Sequence, residues 1–326
     1  MQTRINLFFL KLIFLTLFYK TSKGESSSYN EELKIYNYIV NPHNFTFLIN
    51  PGERICSTNG GDHLLAVFYV HTAPGNYKRR LAIRETWGSR EQFPNKGLIF
   101  VMGTTKNATQ NGIIRLEDEK YHDIVQFSFV DDYKNLTYKA IMSMKWVSMY
   151  CQKAKFIVKT DDDVIIDMHF LYRVLTSRIE NKFPMEKTIY CNVLKKMRVS
   201  RDYYNWWYVE KSEYAAEYYG PYCSGLAFIV TSDLSSLIYN TSFYMKYFWI
   251  DDYYITGALL RNINSTYVPL GKWMTFIDNE ALKHIQGHNI GNFMFTLSVK
   301  SIDEIYIVWS YLKDFYSFDQ DLHFFS

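Results

Sequence analysis

A chain of 326 residues that is 48% apolar and 18% aromatic has the material for one large core, or for two lobes sharing a cleft, which excludes a string of small domains. Lys and Arg number 36 against 33 Asp and Glu, and a formal charge of +3 supplies no extended positive field of the kind a phosphate backbone selects. Nucleic acid is therefore not an expected partner.

The chain opens Met-Gln-Thr-Arg and continues with a mostly apolar run from Ile5 to Tyr19, interrupted by Lys11, before the polar residues 21–30. Residues 1–20 read as a targeting segment. The run is shorter than the ~20 residues usual for a spanning helix, and Ser22-Lys23-Gly24 has a small-x-small cleavage pattern, so a removed signal peptide and a short signal anchor both remain open. Either one delivers the rest of the chain to a lumen, because no later run approaches the length of a membrane span. Five glycosylation sequons, at Asn44, Asn107, Asn135, Asn240 and Asn264, are compatible with that compartment. Four widely spaced cysteines, Cys56, Cys151, Cys191 and Cys223, suit one or two disulfides, with the pairing open, and show no metal-ligand spacing.

Residues 21–62 are polar and broken by Asn41-Pro42, Asn50-Pro51-Gly52 and Asn59-Gly60-Gly61, which reads as a stem; the core unit is expected over 63–315 and a tail over 316–326. The unit begins with His63 to Val70, a continuous apolar run suited to a strand buried on both faces. A helix is predicted near Lys78 to Trp87, then buried strands at Gly97 to Gly103 and Ile124 to Phe129. From Tyr138 to Cys151, the spacing of Ala140, Met144, Val147 and Cys151 places them along one helical face. Phe156 to Lys159 forms a further strand that runs straight into Asp161-Asp162-Asp163. Alternating strands and helices imply an α/β domain with a mostly parallel central sheet flanked by helices, whose ligands gather beyond the carboxyl ends of the strands.

Three consecutive carboxylates between apolar strands repel one another and lose hydration, so a solvated charge run fits them poorly. A divalent cation balances that charge, since hard cations take carboxylate oxygens and fill their remaining positions with phosphate oxygens. Alternation along an extended segment points Asp161 and Asp163 one way and Asp162 another. An EF-hand is excluded by the acidic spacing and the missing glycine. A second pair, Asp251-Asp252, lies at the edge of an aromatic stretch that should raise a carboxyl pKa, as a general base for a sugar hydroxyl requires; a helix N-cap ahead of Tyr253 to Arg261 explains the pair equally well. Tyr218 to Gly225 reads as a turn of small residues before the buried strand Leu226 to Val230, with Gly225 open to close approach by a ligand. The aromatics between Tyr203 and Tyr222, Trp206 and Trp207 among them, suit sugar stacking, but packing is the commoner use of such rings.

In chain order, these blocks resemble the β1,3-galactosyltransferase and β1,3-N-acetylglucosaminyltransferase group, glycosyltransferase family 31. They are Arg79-Arg80-Leu-Ala-Ile-Arg84-Glu-Thr-Trp87-Gly88, Phe100 to Gly103, Glu117 to Asp123, Asp131 to Lys139, Lys159-Thr-Asp-Asp-Asp163-Val, Pro221 to Gly225, and Asp251-Asp252 ahead of Gly257. The resemblance implies a GT-A fold and inverting transfer of a hexose, galactose or N-acetylglucosamine, from a UDP-sugar donor to a glycan acceptor on glycoprotein or glycolipid, in β1,3 linkage. It also implies Mn²⁺ as cofactor and a single-pass type II Golgi protein held to the membrane by its N-terminal segment. By position, Asp161 and Asp163 resemble the metal ligands, and Asp252, beside Asp251, the catalytic base. Arg80, Arg84, Lys159, Asp161, Asp162 and Gly225 fall at the donor site, where a guanidinium fork suits phosphate or a carboxylate that shapes the pocket. Two departures stand out. Alignment on Trp309 puts Ser298 where the family often has a metal-ligating His, with His284 or His288 as substitutes; Trp206-Trp207-Tyr208 replaces the family's common Lys-Trp-Tyr. The first prompts an alternative, a catalytically inactive glycan-binding or chaperone-like lumenal relative; a calcium-binding lumenal protein is a remoter one.

Overall fold

The computed structural model describes residues 33–57, 59–181, 186–276, 293–297 and 301–323. The targeting segment, most of the acidic-to-polar start of the stem, and the positions His284, His288 and Ser298 lie outside them.

In chain order the elements are β1 (Phe47–Ile49), α1 (Glu53–Cys56), β2 (Ala66–His71), α2 (Tyr77–Glu85), β3 (Lys96–Thr104), α3 (Ala108–Tyr121), β4 (Ile124–Val130), α4 (Leu136–Tyr150), β5 (Phe156–Asp161), β6 (Val164–Ile166) and α5 (Met168–Glu180). There follow β7 (Thr188–Leu194), β8 (Tyr222–Thr231), α6 (Asp233–Ser242), α7 (Asp251–Tyr253, continuing through a π-helical turn at Tyr254–Leu259 into Leu260–Ile263), β9 (Thr266–Pro269), β10 (Met274–Phe276), β11 (Phe295–Leu297) and α8 (Ile302–His323).

The main sheet runs β1-β4-β3-β2-β5-β8-β7-β9. Strands β4, β3, β2 and β5 are mutually parallel, whereas β8 enters antiparallel to both β5 and β7. The parallel strands are continuous apolar runs because both of their faces are covered, and every residue of β2 is buried. Helix α4 supplies much of that cover. Ala140, Met144, Val147 and Cys151 are buried along it, as the periodicity predicts, and so are Ile141 and Trp146, the latter with its indole N–H on Asn50 Oδ1 at 2.8 Å.

A small second sheet, β10-β11-β6, takes Val164–Ile166 out of the main sheet immediately after the aspartates. Trp87, just past the end of α2, pins that segment by donating its indole N–H to the Val164 carbonyl at 3.0 Å.

Several boundaries differ from expectation, each for a packing reason. The stretch read as stem is part of the fold from at least Phe47 on: β1 pairs with β4, and Cys56 in α1 is joined to Cys151. The second disulfide joins Cys191 and Cys223 across β7 and β8. The expected tail from 316 continues α8, where the Tyr316 hydroxyl donates to Asp167 at 2.8 Å. The turn expected before Leu226 is instead the first part of β8, since Tyr222 and Cys223 pair with Leu194 and Val193. Neither acidic residue at 251–252 caps α7; the N-cap position is Ile250, and both aspartates lie in the first turn.

Candidate active site

The parallel order brings the carboxyl ends of β2 and β5 side by side, with His71 opposite Asp161. From that edge the three aspartates diverge. Asp162 is buried with its backbone N–H on the His71 carbonyl, and its carboxylate accepts from Thr72 Oγ1 at 2.6 Å, Asn76 Nδ2 at 2.8 Å and Arg79 Nη1 at 3.1 Å. It therefore clamps β5 to the start of α2. The Asp161 and Asp163 side chains remain reachable, 39% and 33% exposed. Arg79 also spans to Asp163, at 3.3 Å.

Lys159 lies buried two residues before Asp161 and donates to the Asp161 carboxylate at 2.7 Å and to the Gly225 carbonyl at 2.5 Å. Burial works against its ammonium, but Asp161, Asp252 and Asp251 outweigh it and keep Lys159 charged. This lysine ties the end of β5 to β8, and β8 in turn supports the second acidic pair. A Cβ on Gly225 would come within 2.2 Å of Asp252 Oδ1, so the position admits no side chain while Asp252 stays in place. The Gly225 N–H acts on the Asp252 carboxylate in the same contact.

A second link fixes Asp252 from its own helix: Cys223 N–H donates to Thr256 Oγ1 at 2.8 Å, and Thr256 donates to the Asp252 carbonyl at 2.5 Å. Thr256 sits in the π-helical turn, and its own carbonyl accepts from the Tyr267 hydroxyl. Such turns inside α-helices are frequent at functional sites.

The charges are crowded. Burial, partly offset by Lys159 and reinforced by Asp163 and Asp251, pushes the Asp161 carboxyl up to about 6. Asp163 is raised by burial and then by Asp162, against Arg79. Asp252 is raised well above the carboxylate range, by burial first and then by Asp251. Asp251 is raised by burial, with Lys159 opposing. Five aspartates thus share two directly bonded cations, Lys159 and Arg79, with Lys139, itself paired to Asp131, adding its charge to the field on Asp251.

That surplus fits a divalent cation at Asp161 and Asp163. Among the described residues no third His, Cys, Asp or Glu completes a metal-holding cluster, so phosphate oxygens and water would fill the remaining positions.

Asp251 and Asp252 also form one wall of a cavity of about 370 Å³, whose other sides include Tyr133, Trp207, Tyr222, Ser224 and Trp249. Trp207 is held there by its indole N–H on the Tyr133 hydroxyl at 2.8 Å.

Arg80 and Arg84 do not join this group. Arg80 is fully buried, with its Nε and Nη2 on the two Glu117 oxygens at 2.8 and 2.7 Å, and its remaining donors go to Thr72, Ala73 and Pro74. Arg84 binds Asp123 and Glu117 and lies against the Phe100 and Tyr121 rings. Both forks grip buried carboxylates, and Arg79, one residue before Arg80, is the arginine at the aspartates. The expected packing role of the 203–222 aromatics holds for Tyr214, Tyr219 and Tyr222, which are buried, and fails for Tyr203, Tyr204, Trp206 and Trp207, which are exposed.

Two further groups at the site carried no signal in the sequence reading. Thr256 is a small polar residue inside an apolar helix. Tyr69 lies mid-strand in β2, its buried hydroxyl without a hydrogen-bond partner among the described residues and within the field of Asp251 and Asp161.

The same segments carry the likeness to known proteins. The β1,3-galactosyltransferase 1 proteins of Mus musculus and Homo sapiens are each 33% identical over 229 residues, covering 69% of this chain and 67% of theirs. The β1,3-galactosyltransferase 5 of Homo sapiens is 32% identical over 223 residues, 64% of this chain and 67% of its own. Among solved structures, the galactosyltransferase LgtC in complex with donor and acceptor sugar analogues matches with a TM-score of 0.34 at 7% identity, over 75% of this chain and 95% of that one. The family model described as Galactosyltransferase matches residues 78–270, from α2 through the three aspartates and Asp252 to β9, and the chain belongs to that family.

Proposed function

We propose that this chain moves a hexose, galactose as in its named relatives or N-acetylglucosamine, from a UDP-sugar to a glycan hydroxyl in β1,3 linkage with inversion. The observation that carries the reading is the approach of two carboxylate groups from distant parts of the chain, Asp161 with Asp163 beside it and Asp252 with Asp251 beside it, cross-braced by Lys159 and Gly225.

In an inverting transfer the acceptor oxygen bonds to the anomeric carbon as the bond from that carbon to the diphosphate breaks, with its electron pair leaving on UDP. The hydroxyl proton must go elsewhere, and Asp252 takes it. Its raised pKa suits the task, because a more basic carboxylate accepts a proton more completely than an ordinary one. Asp251 and Lys159 set the local charge, and the cavity beside Asp252 receives the acceptor. Asp161 and Asp163 would hold Mn²⁺ with the diphosphate. When bound there, the ion supplies positive charge for the leaving group. Arg79 and Asn76, at the start of α2, hold Asp162 and so fix the angle at which its neighbours project.

The same reading makes the protein lumenal and Golgi-bound, with residues 1–20 as its membrane tether. Two disulfides suit that oxidising compartment. No helix among the described residues is long and apolar enough to cross a membrane, and the tether lies outside them. The inactive alternative rested on Ser298, which is likewise outside the described residues, and the active reading is supported by the Lys159–Gly225 brace between Asp161 and Asp252.

The test is a panel of UDP-sugars with sugar-ended acceptors, with Mn²⁺ or with chelator, followed by linkage analysis of the product. Metal-dependent β1,3 transfer that Asp163→Asn and Asp252→Asn each abolish is the expected result. Transfer undiminished in both variants would overturn the assignment.

A further inference from the structure

Beside the acceptor cavity stands a set of aromatic rings that the chemistry above does not use. Trp206 is 84% exposed, Tyr204 92% and Tyr203 76%, the three most exposed large hydrophobic side chains among the described residues. Exposing so much apolar ring area in one short loop is unfavourable unless something covers it in use.

The loop is also braced. Asp202 accepts from the Tyr204 N–H at 3.0 Å, and Asn205 accepts from the Trp207 N–H at 2.8 Å, two successive side-chain-to-backbone turns. Arg201 closes the base, donating to the Val209 carbonyl at 2.6 Å and to the Tyr214 and Ala216 carbonyls at 2.5 and 2.8 Å. Trp207 is tied to Tyr133. The rings are therefore held out to solvent by a fixed backbone, the arrangement in which an aromatic contact costs least ordering on binding.

Position identifies the occupant. Asn205 and Trp207, on either side of Trp206, line the cavity that Asp251 and Asp252 wall, and Arg198 and Ser200 line it from the approach to the loop. The aromatic surface thus continues outward from the acceptor cavity, with hydrogen-bonding groups at the junction. Alternating apolar ring faces and polar groups match a carbohydrate chain, whose residues present C–H faces and hydroxyls in turn.

Resting on the transferase reading, we propose that Trp206, with Tyr203 and Tyr204, forms an outer subsite that binds the second and later sugars of an oligosaccharide acceptor. The terminal sugar occupies the cavity at Asp252, and the chain behind it leaves across the Trp206 face. The enzyme accordingly selects extended glycans over single sugars.

The test uses the full chain and compares methyl glycosides of N-acetylglucosamine and galactose with tetrasaccharides ending in the same sugars. Wild type should show a KM for the preferred tetrasaccharide about tenfold below that for its methyl glycoside, and Trp206→Ala should erase most of that ratio while Trp206→Phe restores it. Calorimetric titration of the tetrasaccharides into protein saturated with UDP and Mn²⁺ reads the same subsite without turnover, so absence of any transfer would count against the transferase reading and leave this one decided by binding. Equal KM for short and long acceptors in wild type overturns the subsite, as does equal loss on both in Trp206→Ala. Flotation with phosphatidylcholine and phosphatidylserine vesicles covers the other occupant: vesicle binding that Trp206→Ala removes, with saccharide binding intact, also overturns it.

Discussion

Gly225 and Asp252 touch so closely that a single methyl group cannot stand between them: a Cβ built on Gly225 lies 2.2 Å from Asp252 Oδ1 and 2.3 Å from Oδ2. Strand β8 and helix α7 are set against each other by this contact, and the carboxylate takes its aim from the glycine backbone. Gly225→Ala must therefore push the Asp252 side chain aside. Misplacement of a reacting group by about 1 Å costs roughly 100-fold in rate, so kcat should fall by about that factor. The circular dichroism spectrum should be retained, because the glycine contributes backbone pairing and no packed side chain. Steady-state kinetics of the variant checks the point, and a kcat within threefold of wild type would separate Asp252 from the reaction.

Asp252 carries a pH signature that Asp251 does not share in full. Its carboxyl is pushed well above the usual range by burial and by Asp251, and it must be deprotonated to accept the acceptor's proton. Activity is therefore lost as pH falls through the raised pKa, so the acid limb of kcat should lie above the ordinary carboxylate range rather than near 4. Asp252→Asn should lower kcat by about 10²–10⁴-fold and remove that limb. Asp251→Asn takes away a neighbouring negative charge, which lowers the Asp252 pKa, so the limb should move to lower pH with a smaller loss of rate. A pH–rate profile for the three proteins distinguishes these outcomes, and an unmoved limb in Asp251→Asn counts against the pairing.

The parallel half of the sheet was legible because buried parallel strands are continuous apolar runs, and β2, β3, β4 and β5 lie within a few residues of their expected places. The aspartate triplet at the end of β5 was legible for the same reason, as charge abutting such a run. Helix α3 was not: Ala108–Tyr121 buries only Ile114 and Glu117 and contains Gly112, so it offers no apolar stripe to read. Nor could spacing reveal that Lys159 bridges Asp161 and the Gly225 carbonyl, since that link depends on β8 running antiparallel to β5 across 66 positions. The family resemblance puts Arg80 and Arg84 near the donor site, where a guanidinium fork suits phosphate or a carboxylate. Glu117 and Asp123, on α3 and at the start of β4, take them up instead, and no local pattern announces a pairing to a helix that was itself invisible.

Arg80 offers a way to separate those two roles by experiment. All five of its N–H groups have acceptors, two on Glu117 and three on Thr72, Ala73 and Pro74. Breaking a buried ion pair by removing one partner costs about 3–5 kcal/mol, and the low end applies here because Arg84 still lies 2.8 Å from Glu117. Arg80→Met should therefore lose about 3 kcal/mol of stability while the KM for the UDP-sugar, measured well below the melting transition, stays near wild type. Denaturant unfolding and donor titration together check it. A large rise in donor KM with unchanged stability would instead put Arg80 on the nucleotide.

A stability effect of opposite origin is expected at His43, far along the sequence from the aspartates. The ring is buried among Phe243, Tyr239 and Tyr138. Ser242 spends its own hydroxyl proton on the Tyr239 carbonyl at 2.6 Å, so it must accept from His43 Nε2, at 2.7 Å. Nδ1 is then the unprotonated nitrogen, buried without a partner among the described residues, and a second proton there would find no acceptor. Burial first, and Lys145 second, lower the folded-state pKa to about 4 from 6.5. Below pH 6.5 the unfolded chain binds a proton that the native ring refuses, so stability is present at neutral pH and is lost as pH falls from about 6.5 to about 4. The shift is worth on the order of 3 kcal/mol once complete. Asp161, raised to about 6, acts in the opposite direction over an overlapping window, which makes the total curve ambiguous. The difference between wild type and His43→Phe cancels that contribution: the gap between their unfolding free energies should shift by about 3 kcal/mol toward the variant between pH 7 and pH 4. A gap that stays constant across the window would mean that His43 is protonated in the native state with an acceptor of its own.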